Sequence, residues 1–323
     1  MDRLTAGVLR GDRRALARLM TMAERYPGGV GAAITALHDR LGRALVIGVT
    51  GPPGGGKSTL LLRLAQVYRA RHQSVGLVAV DPSSPMSGGS VLGDRIRMQE
   101  LHADPAVFIR SMASGGLAGG LAAGTLDMVD LLDAFGFDVI FIESVGVGQG
   151  ETDISRVVDT NVVVVVPGLG DDIQALKAGV LETGDIFVVN KSDRPEARAT
   201  AATLRAMLEL GEQVGWTPQV LATSALKADG IEALVDAIGH HAQFLKESGQ
   251  LVERRTGRAM ERIRLIVTQR FMCALQNELQ SEISQQSVRA LMERVGEADA
   301  VVQEVLDRAT HRLSAGVHTS PGF

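Results

Sequence analysis

Short apolar runs alternate along this chain with longer segments whose apolar residues fall on one helical face, such as Leu61, Leu64, Ala65 and Tyr68. Seven runs are rich in β-branched residues: 44–50, 75–80, 106–109, 138–143, 161–166, 185–190 and 218–223. Strands that are apolar on both faces and alternate with helices are typical of a parallel sheet covered on both sides. The pattern predicts an α/β fold with a mainly parallel central sheet.

The alternating pattern is confined to the middle of the chain. Outside it only helical spacing is visible, as in the steps of three and four that join Met260, Ile263, Val267, Phe271 and Leu275. We therefore predict a helical arm over 1–42, an α/β domain over 43–248 and a helical segment over 249–323. Cys273 lies among apolar residues of that last segment, so we expect its thiol to be packed.

Composition narrows the classes of partner. The 323 residues carry a net charge of −4, without the basic excess of a nucleic-acid-binding protein. A single cysteine excludes an internal disulfide and a paired-cysteine metal site, and fits a reducing compartment. The longest apolar run is too short to span a bilayer. Asp2 and Asp12 interrupt the arginine-rich start, which favours an ordinary helix over a transit peptide. We expect a cytoplasmic protein that binds neither membrane nor nucleic acid.

A glycine-rich stretch between the first strand and the next helix matches the P-loop pattern G-x4-G-K-[ST] in full. Its glycines let backbone N–H groups surround phosphate oxygens, and the helix N-terminus adds positive potential. Lys57 is expected to bridge the β- and γ-phosphates, and Ser58 to ligate Mg²⁺. The predicted phosphate-binding residues are Gly51, Gly54, Gly55, Gly56, Lys57, Ser58 and Thr59.

The phosphate site needs a second metal ligand, and the strand over 138–143 ends in Glu143. Gly146 follows at the spacing of a switch glycine, whose amide meets the γ-phosphate. Together with Lys57 and Asp94 these residues are the catalytic candidates. The alternative is that Glu143 is a surface acid in a glycine-rich loop.

The sequence Asn190-Lys191-Ser-Asp193 follows another predicted strand. A carboxylate at Asp193 could accept hydrogen bonds from N1–H and the 2-amino group of guanine, and adenine offers neither. Lys191 could lay its methylene groups on the ring, and Asn190 could tie this loop to the P-loop. The nucleotide is therefore predicted to be GTP or GDP.

A second loop, 223–230, fits the last contact with the base. There Ser224, Ala225 and Leu226 are candidate residues, and the backbone amide of Ala225 or Leu226 would meet guanine O6. The alternative is an ordinary turn between a strand and a helix.

Two acids precede Glu143 in the chain. Asp81 ends a strand next to the P-loop, and Asp94 follows in a polar, glycine-rich loop. Acids that converge on a phosphate site suggest further Mg²⁺ ligands bound through water, so the predicted metal set is Ser58, Asp81, Asp94 and Glu143. Helix capping is the alternative role for Asp94.

These motifs together resemble the MeaB/ArgK-type G-proteins, which attend adenosylcobalamin-dependent acyl-CoA mutases. The resemblance rests, in order, on "GVTGPPGGGKSTL", "VDPSSPMSGGSVLGDRIRM", "IRSMASGGLAGG", "IESVGVGQGE" and "VVNKSD". The second stretch is the most diagnostic, because Ras-like GTPases lack it. The chain departs from usual members at "PPGGG" and at "MASGG", which suggests a subfamily whose mutase handles a different acyl-CoA.

The resemblance implies a P-loop GTPase domain with an N-terminal helical arm and a C-terminal helical dimerisation segment, hence a homodimer. It implies switches at 82–98 and 144–156. It also implies a mobile loop at 168–179 that signals to the mutase, with Asp171, Gln174 and Lys177 as candidates. Helix capping and a solvated helix face are the alternative for these three residues.

The function implied is a GTP-hydrolysing chaperone that gates adenosylcobalamin loading and protects the mutase. A nickel metallochaperone GTPase is an alternative, but it predicts a histidine-rich or paired-cysteine tract, and only His240-His241 are adjacent. A protein kinase is a further alternative, but the sequence lacks the protein-kinase motif set. A nucleotide-sensing scaffold with negligible turnover stays open, because no arginine finger is evident beyond the candidates Arg95, Arg97 and Arg110.

Overall fold

The computed structural model describes residues 1–26, 28–81, 101, 103–113, 123–144, 154–168, 179–210, 215–281 and 298–314. Its contacts divide the chain into two compact units, 1–261 and 262–323. None of the helices formed by these described residues is long and apolar enough to cross a membrane.

A parallel sheet of seven strands, in the order β3-β2-β4-β1-β5-β6-β7, forms the centre of the first unit. The strands are β1 Leu45–Thr50, β2 Val75–Asp81, β3 Val107–Ala113, β4 Val139–Glu143, β5 Thr160–Val165, β6 Ile186–Val189 and β7 Gln219–Ala222. Each predicted apolar run overlaps one of them, although β3 extends four residues past its run. Every described strand pair is parallel. The predicted α/β fold with a parallel sheet is confirmed.

Helices connect and flank these strands. They are α1 Asp2–Leu9, α2 Arg13–Arg25, α3 Gly31–Ala36, α4 Lys57–Ala70, α5 Ala123–Phe135, α6 Val180–Thr183, α7 Ala197–Glu209, α8 Ile231–Glu247, α9 Gln250–Leu279 and α10 Ala298–Ser314. Asp12 begins α2 by accepting a hydrogen bond from the Arg14 N–H at 2.8 Å, the usual role of an N-cap aspartate.

The strands bury side chains on both faces. One core cluster joins alternate residues of β1 and β5 to α4 and α8, and includes Ile47, Val49, Val162, Val164, Leu60, Leu64, Leu234 and Ile238. The intervening residues of β5 and β6 pack with α7 in a second cluster, which includes Val163, Val165, Phe187, Val189, Ala201 and Leu204. Burial on both faces explains why the strands read as nearly continuous apolar runs.

Within the first unit, the helical arm packs against α5. Leu16, Leu19 and Met20 of α2 are fully buried, and α2 makes extensive contacts with α5. The guanidinium of Arg13 donates to the carbonyl oxygens of Pro105 (2.5 Å) and Val107 (2.6 Å). The arm is therefore fixed to the start of the edge strand β3.

Buried ion pairs gather at the amino ends of the strands. Asp159 and Asp185 directly precede β5 and β6, and three arginines near the start of α9 contact them. Arg254 binds Asp185 through two hydrogen bonds of 2.6 and 2.7 Å, whereas Arg255 and Arg258 pair with Asp159. We call these five residues the arginine–aspartate cluster.

The same carboxylates hold the strands themselves. Asp159 accepts the Val46 N–H of β1 at 3.0 Å, and Asp185 accepts the Asn161 N–H of β5 at 2.7 Å. The guanidinium of Arg255 also donates to the carbonyl oxygens of Gly42 and Ala44. The arginine–aspartate cluster therefore fixes the starts of β1, β5 and β6 to the first turns of α9.

The second unit includes α10, where Val305 and Ala309 are buried and Arg308 lies 3.8 Å from Glu278. Cys273 of α9 is exposed, so the predicted packing of its thiol is wrong. Of the five periodic apolar residues of α9, Met260, Ile263 and Val267 are 64%, 57% and 60% exposed, whereas Phe271 and Leu275 are half-buried. Spacing identified the helix correctly but could not tell whether anything covers its apolar side.

Candidate nucleotide-binding site

The loop between β1 and α4 requires glycine at two positions where neighbouring groups approach the backbone. Gly51 has φ 131°, and a Cβ there would lie 2.2 Å from the carbonyl oxygen of Val164 on β5. Gly56 has φ 86°, and its Cβ would lie 2.6 Å from Nδ2 of Asn190. Only glycine allows both this conformation and this close approach. The loop therefore rests directly on the ends of β5 and β6.

Lys57, the first residue of α4, is only 6% exposed. Its Nζ donates to the carbonyl oxygens of Gly51 at 2.8 Å and Pro52 at 3.1 Å. The ammonium group thus lies against the backbone of the loop between β1 and α4. The N-terminus of α4 contributes positive potential at the same place. A cation, a helix N-terminus and a glycine loop together form a site suited to phosphate.

Ser58 and Glu143 lie together beside this loop. The Ser58 hydroxyl donates to Oε1 of Glu143 at 2.7 Å, and Glu143, the last residue of β4, is buried. β4 is hydrogen-bonded to β1, with Glu143 opposite Val49. A hydroxyl and a carboxylate oxygen next to a phosphate site are ligands that Mg²⁺ prefers. The residues present therefore fit a magnesium ion.

The other predicted metal and switch residues are only partly described. Asp81 is the last residue of β2, the strand next to β4, and pairs with Ala113. Five predicted residues lie outside the described residues: Asp94, Gly146, Asp171, Gln174 and Lys177. Of the arginine-finger candidates, Arg110 pairs with Glu24 of α2 at 2.5 Å, and Arg95 and Arg97 also lie outside the described residues.

Asn190 connects three loops. It is 2% exposed, and its Nδ2 donates to the Gly55 carbonyl oxygen of the P-loop at 2.8 Å. Its Oδ1 accepts from the Ala225 N–H at 3.1 Å and from the Thr223 hydroxyl at 3.3 Å. One buried amide therefore positions the P-loop, loop 190–193 and loop 223–226 relative to one another.

Asp193 and Lys191 flank this amide at the surface. The Ser224 hydroxyl donates to Oδ1 of Asp193 at 3.0 Å, and this hydrogen bond lowers the pKa of the carboxyl group. Asp193 therefore remains an ionised acceptor at neutral pH. Lys191, with φ 57°, donates from Nζ to the Gly54 carbonyl oxygen at 2.8 Å. Its methylene groups thus extend from loop 190–193 to the P-loop.

Two contacts in this region were missed by sequence reasoning. Thr223 is fully buried beside Asn190, and only its place next to Ser224 and Ala225 could have drawn attention to it. Arg63 of α4 donates from Nε to the Ala225 carbonyl oxygen at 3.1 Å. No local motif marks Arg63, because the contact joins residues 162 positions apart.

A cleft of about 400 Å³ opens beside the P-loop, between the ends of β5 and β6. Its walls are formed by Pro53, Gly54, Val166, Pro167, Gly168, Lys191, Arg194 and Glu196. The position agrees with the general rule that ligands of parallel α/β sheets bind outside the carboxyl ends of the strands.

Comparisons with known proteins identify relatives of this chain. A family model described as "Methylmalonyl Co-A mutase-associated GTPase MeaB" matches residues 16–280. A relative from Pyrococcus abyssi is 45% identical and is covered over 98% of each chain. GTPase ArgK of Escherichia coli is 38% identical over 79% of this chain and 80% of its own length.

A solved structure has the same architecture. The crystal structure of a LAO/AO transport system kinase has a TM-score of 0.70 and 27% identity, and the match covers 95% of this chain and 96% of that one. The family match spans the P-loop, both loops around Asn190 and most of the helical arm. The chain is a GTPase and belongs to the MeaB family of methylmalonyl-CoA mutase-associated GTPases.

Proposed function

We propose that this GTPase is a chaperone that gates adenosylcobalamin loading of an acyl-CoA mutase and protects the loaded enzyme. The observation that carries the proposal is the family match over 16–280, a family described by its association with methylmalonyl-CoA mutase. The partner is methylmalonyl-CoA mutase or a related isobutyryl- or hydroxyisobutyryl-type mutase. The protein acts in the cytoplasm as a homodimer joined through residues 249–323.

Lys57 in this proposal contacts the β- and γ-phosphates of GTP. Its Nζ already lies on the P-loop carbonyl groups, so it needs only to exchange these acceptors for phosphate oxygens. Gly51, Gly54, Gly55 and Gly56, with Ser58 and Thr59, surround the phosphates.

Magnesium is the proposed metal, held by Ser58 and Glu143, whose oxygens lie 2.7 Å apart, with Asp81 and Asp94 completing the set. The ion supplies charge neutralisation for the phosphates. Gly146 offers its amide to the γ-phosphate.

Guanine is proposed to lie against Lys191, with Asp193 accepting from N1–H and the 2-amino group. The Ser224 hydroxyl donates to this carboxylate at 3.0 Å and orients it. The amide of Leu226 is the better donor to O6, because the Ala225 N–H is directed to Asn190. Asn190 itself acts by fixing the three loops.

Communication with the mutase is assigned to loop 168–179, with Asp171, Gln174 and Lys177 as the coupling residues. This loop follows β5, whose end contacts the P-loop at Gly51. A change of nucleotide at the P-loop can therefore act through the end of β5 on the start of this loop.

The mutase captured from the native host provides the test. Single-turnover GTP hydrolysis is measured for the wild type, Lys177→Ala and the exposed control Lys246→Ala, each with and without saturating mutase. We expect the mutase to stimulate wild type and control, and Lys177→Ala to keep only its basal rate. Population shift of about 1–3 kcal/mol limits the stimulation to roughly 5- to 150-fold. Failure of the wild type to bind or respond to any cobalamin-dependent mutase would contradict the proposal.

A further inference from the structure

The peptide group between Ala225 and Leu226 is hydrogen-bonded at its carbonyl oxygen but not at its N–H among the described residues. The Ala225 carbonyl oxygen accepts from Nε of Arg63 at 3.1 Å. Within the described part of the chain, the Leu226 N–H has no hydrogen-bond acceptor. The Leu226 side chain is 79% exposed, so this amide lies near the surface.

The carbonyl of Ala225 and the N–H of Leu226 belong to the same planar unit. A trans peptide directs these two groups to opposite sides. A side chain that holds the carbonyl oxygen therefore also fixes the direction of the N–H. The rest of loop 223–226 is held elsewhere: the Thr223 N–H donates to Val189 at 2.9 Å and the Ala225 N–H to Asn190 at 3.1 Å. The Lys227 N–H also donates to the Ser224 carbonyl oxygen at 3.1 Å and closes a turn around the 225–226 peptide. Such a turn is compatible with two directions of its central peptide, and the Arg63 contact favours the observed one.

The charge of Arg63 adds to this geometric effect. A guanidinium that donates to a carbonyl makes a charge-assisted hydrogen bond. Such a bond polarises the peptide and strengthens its N–H as a donor. The described partners of Arg63 are neutral oxygens, that of Ala225 and Oε1 of Gln66 at 3.0 Å. Among the residues that the structure describes, no carboxylate pairs with Arg63, so its positive charge acts on this peptide.

Arg63 also links the two ends of the nucleotide site. It lies on α4, the helix that begins with the P-loop residue Lys57, and its contact reaches the loop proposed to meet the base. From this arrangement we infer that Arg63 is a positioning residue for recognition of the guanine 6-oxo group, acting through the Leu226 N–H. The inference rests on the proposed base site formed by loops 190–193 and 223–226.

A nucleotide that lacks the 6-oxo group separates this role from general support of the fold. Affinities are measured for GTP and for the 2-aminopurine ribonucleoside triphosphate, which keeps the 2-amino group but has neither the oxygen at position 6 nor the hydrogen on N1. The variants are Arg63→Met, Arg63→Lys and the control Arg71→Met. Arg71 follows α4 and makes an exposed ion pair with Asp236.

We expect Arg63→Met to weaken GTP binding about tenfold, which corresponds to the loss of one well-placed hydrogen bond, and to change binding of the 2-aminopurine nucleotide less than about twofold. Arg63→Lys should retain part of the preference for GTP, and Arg71→Met all of it. Thermal unfolding without nucleotide checks that each variant is folded.

Two results would overturn the inference. If Arg63→Met weakens binding of both nucleotides equally, or of neither, Arg63 does not act through the 6-oxo group. The proposed base site would be unaffected by that result. If the wild type itself fails to prefer GTP over the 2-aminopurine nucleotide, the base site is misplaced and the inference falls with it.

Discussion

The carboxyl and amino ends of the sheet are built from different interactions. At the carboxyl ends, the loops are joined by the neutral amide of Asn190 and by backbone groups, beside glycines that leave room for a ligand. At the amino ends, Asp159 and Asp185 are buried and paired with three arginines. The same strands thus end at the proposed nucleotide site on one side and begin at buried aspartates with arginine partners on the other.

Substitutions at the two ends of the sheet should therefore have different effects. Removing one partner of a buried ion pair leaves an uncompensated charge, so the cost appears in the free energy of unfolding. Removing a group that contacts a ligand costs binding, and the empty protein is affected much less. Substitutions at the carboxyl ends should therefore change nucleotide binding, and those at the amino ends stability.

The largest functional loss is expected from Lys57→Ala. Charge-assisted contacts to phosphate are worth roughly 1.5–3 kcal/mol each, so GTP affinity should fall at least about tenfold and hydrolysis should cease. The thermal midpoint of the nucleotide-free protein should stay near that of the wild type. Titration calorimetry measures GTP affinity and single-turnover assays measure hydrolysis, with Lys246→Ala as the control. Hydrolysis at the wild-type rate would show that Lys57 does not serve the phosphates.

Asp159→Ala should produce the largest loss of stability. It leaves Arg255 and Arg258 without their carboxylate and the Val46 N–H without its acceptor. We expect the free energy of unfolding to fall by about 3 kcal/mol, as measured by urea denaturation. The control Asp236→Ala removes the exposed pair with Arg71 and should cost less than about 1 kcal/mol. Equal losses in the two variants would mean that the arginine–aspartate cluster adds nothing beyond a surface pair.

Asp193→Asn should change the choice of base while leaving stability nearly intact. An asparagine NH₂ can donate to the 2-oxo group of xanthine, where guanine carries a donor. The preference should shift toward XTP by roughly 1.5–3 kcal/mol, measured by competition between GTP and XTP. Asp229→Asn is the matched control, because Asp229 holds Ser224 only through backbone hydrogen bonds. A preference that Asp193→Asn leaves unchanged would place the base elsewhere.

The smallest expected effect is a pH dependence of stability that arises from His241, at the amino ends of the strands. Burial lowers the pKa of His241 from 6.5 to about 4, and the ring lies against Asp185, Thr160 and Trp216. Above pH 6.5 the ring is neutral in both states. As pH falls toward 4, the unfolded chain binds a proton that the native state does not, so stability decreases.

Between pH 7 and 5.5 the expected contribution of His241 to this decrease is about 1 kcal/mol. Urea denaturation at both pH values measures it. His241→Gln should remove this part of the pH dependence, and His240→Gln, at the exposed neighbouring position, should retain it. If all three proteins lose the same stability, other groups are responsible and the His241 ring does not stay neutral.

Local sequence patterns were sufficient to predict the strands and to propose the loops of the nucleotide site. Seven apolar runs gave seven parallel strands because both faces of each strand are buried, so no alternation obscured them. Gly51 to Ser58 and Asn190 to Asp193 could be proposed as the phosphate and base motifs because each motif is local, with its backbone and side chains supplied by consecutive residues.

Contacts between groups that are distant in sequence became visible in the folded protein. The contacts of Arg63 with Ala225 and of Arg258 with Asp159 join residues far apart in sequence, and no periodicity or spacing encodes such pairs. Periodicity also could not determine that Cys273 is exposed, because a helix has the same apolar spacing whether or not another surface covers it. Local patterns follow from backbone geometry, whereas burial and long-range pairing depend on how the elements pack.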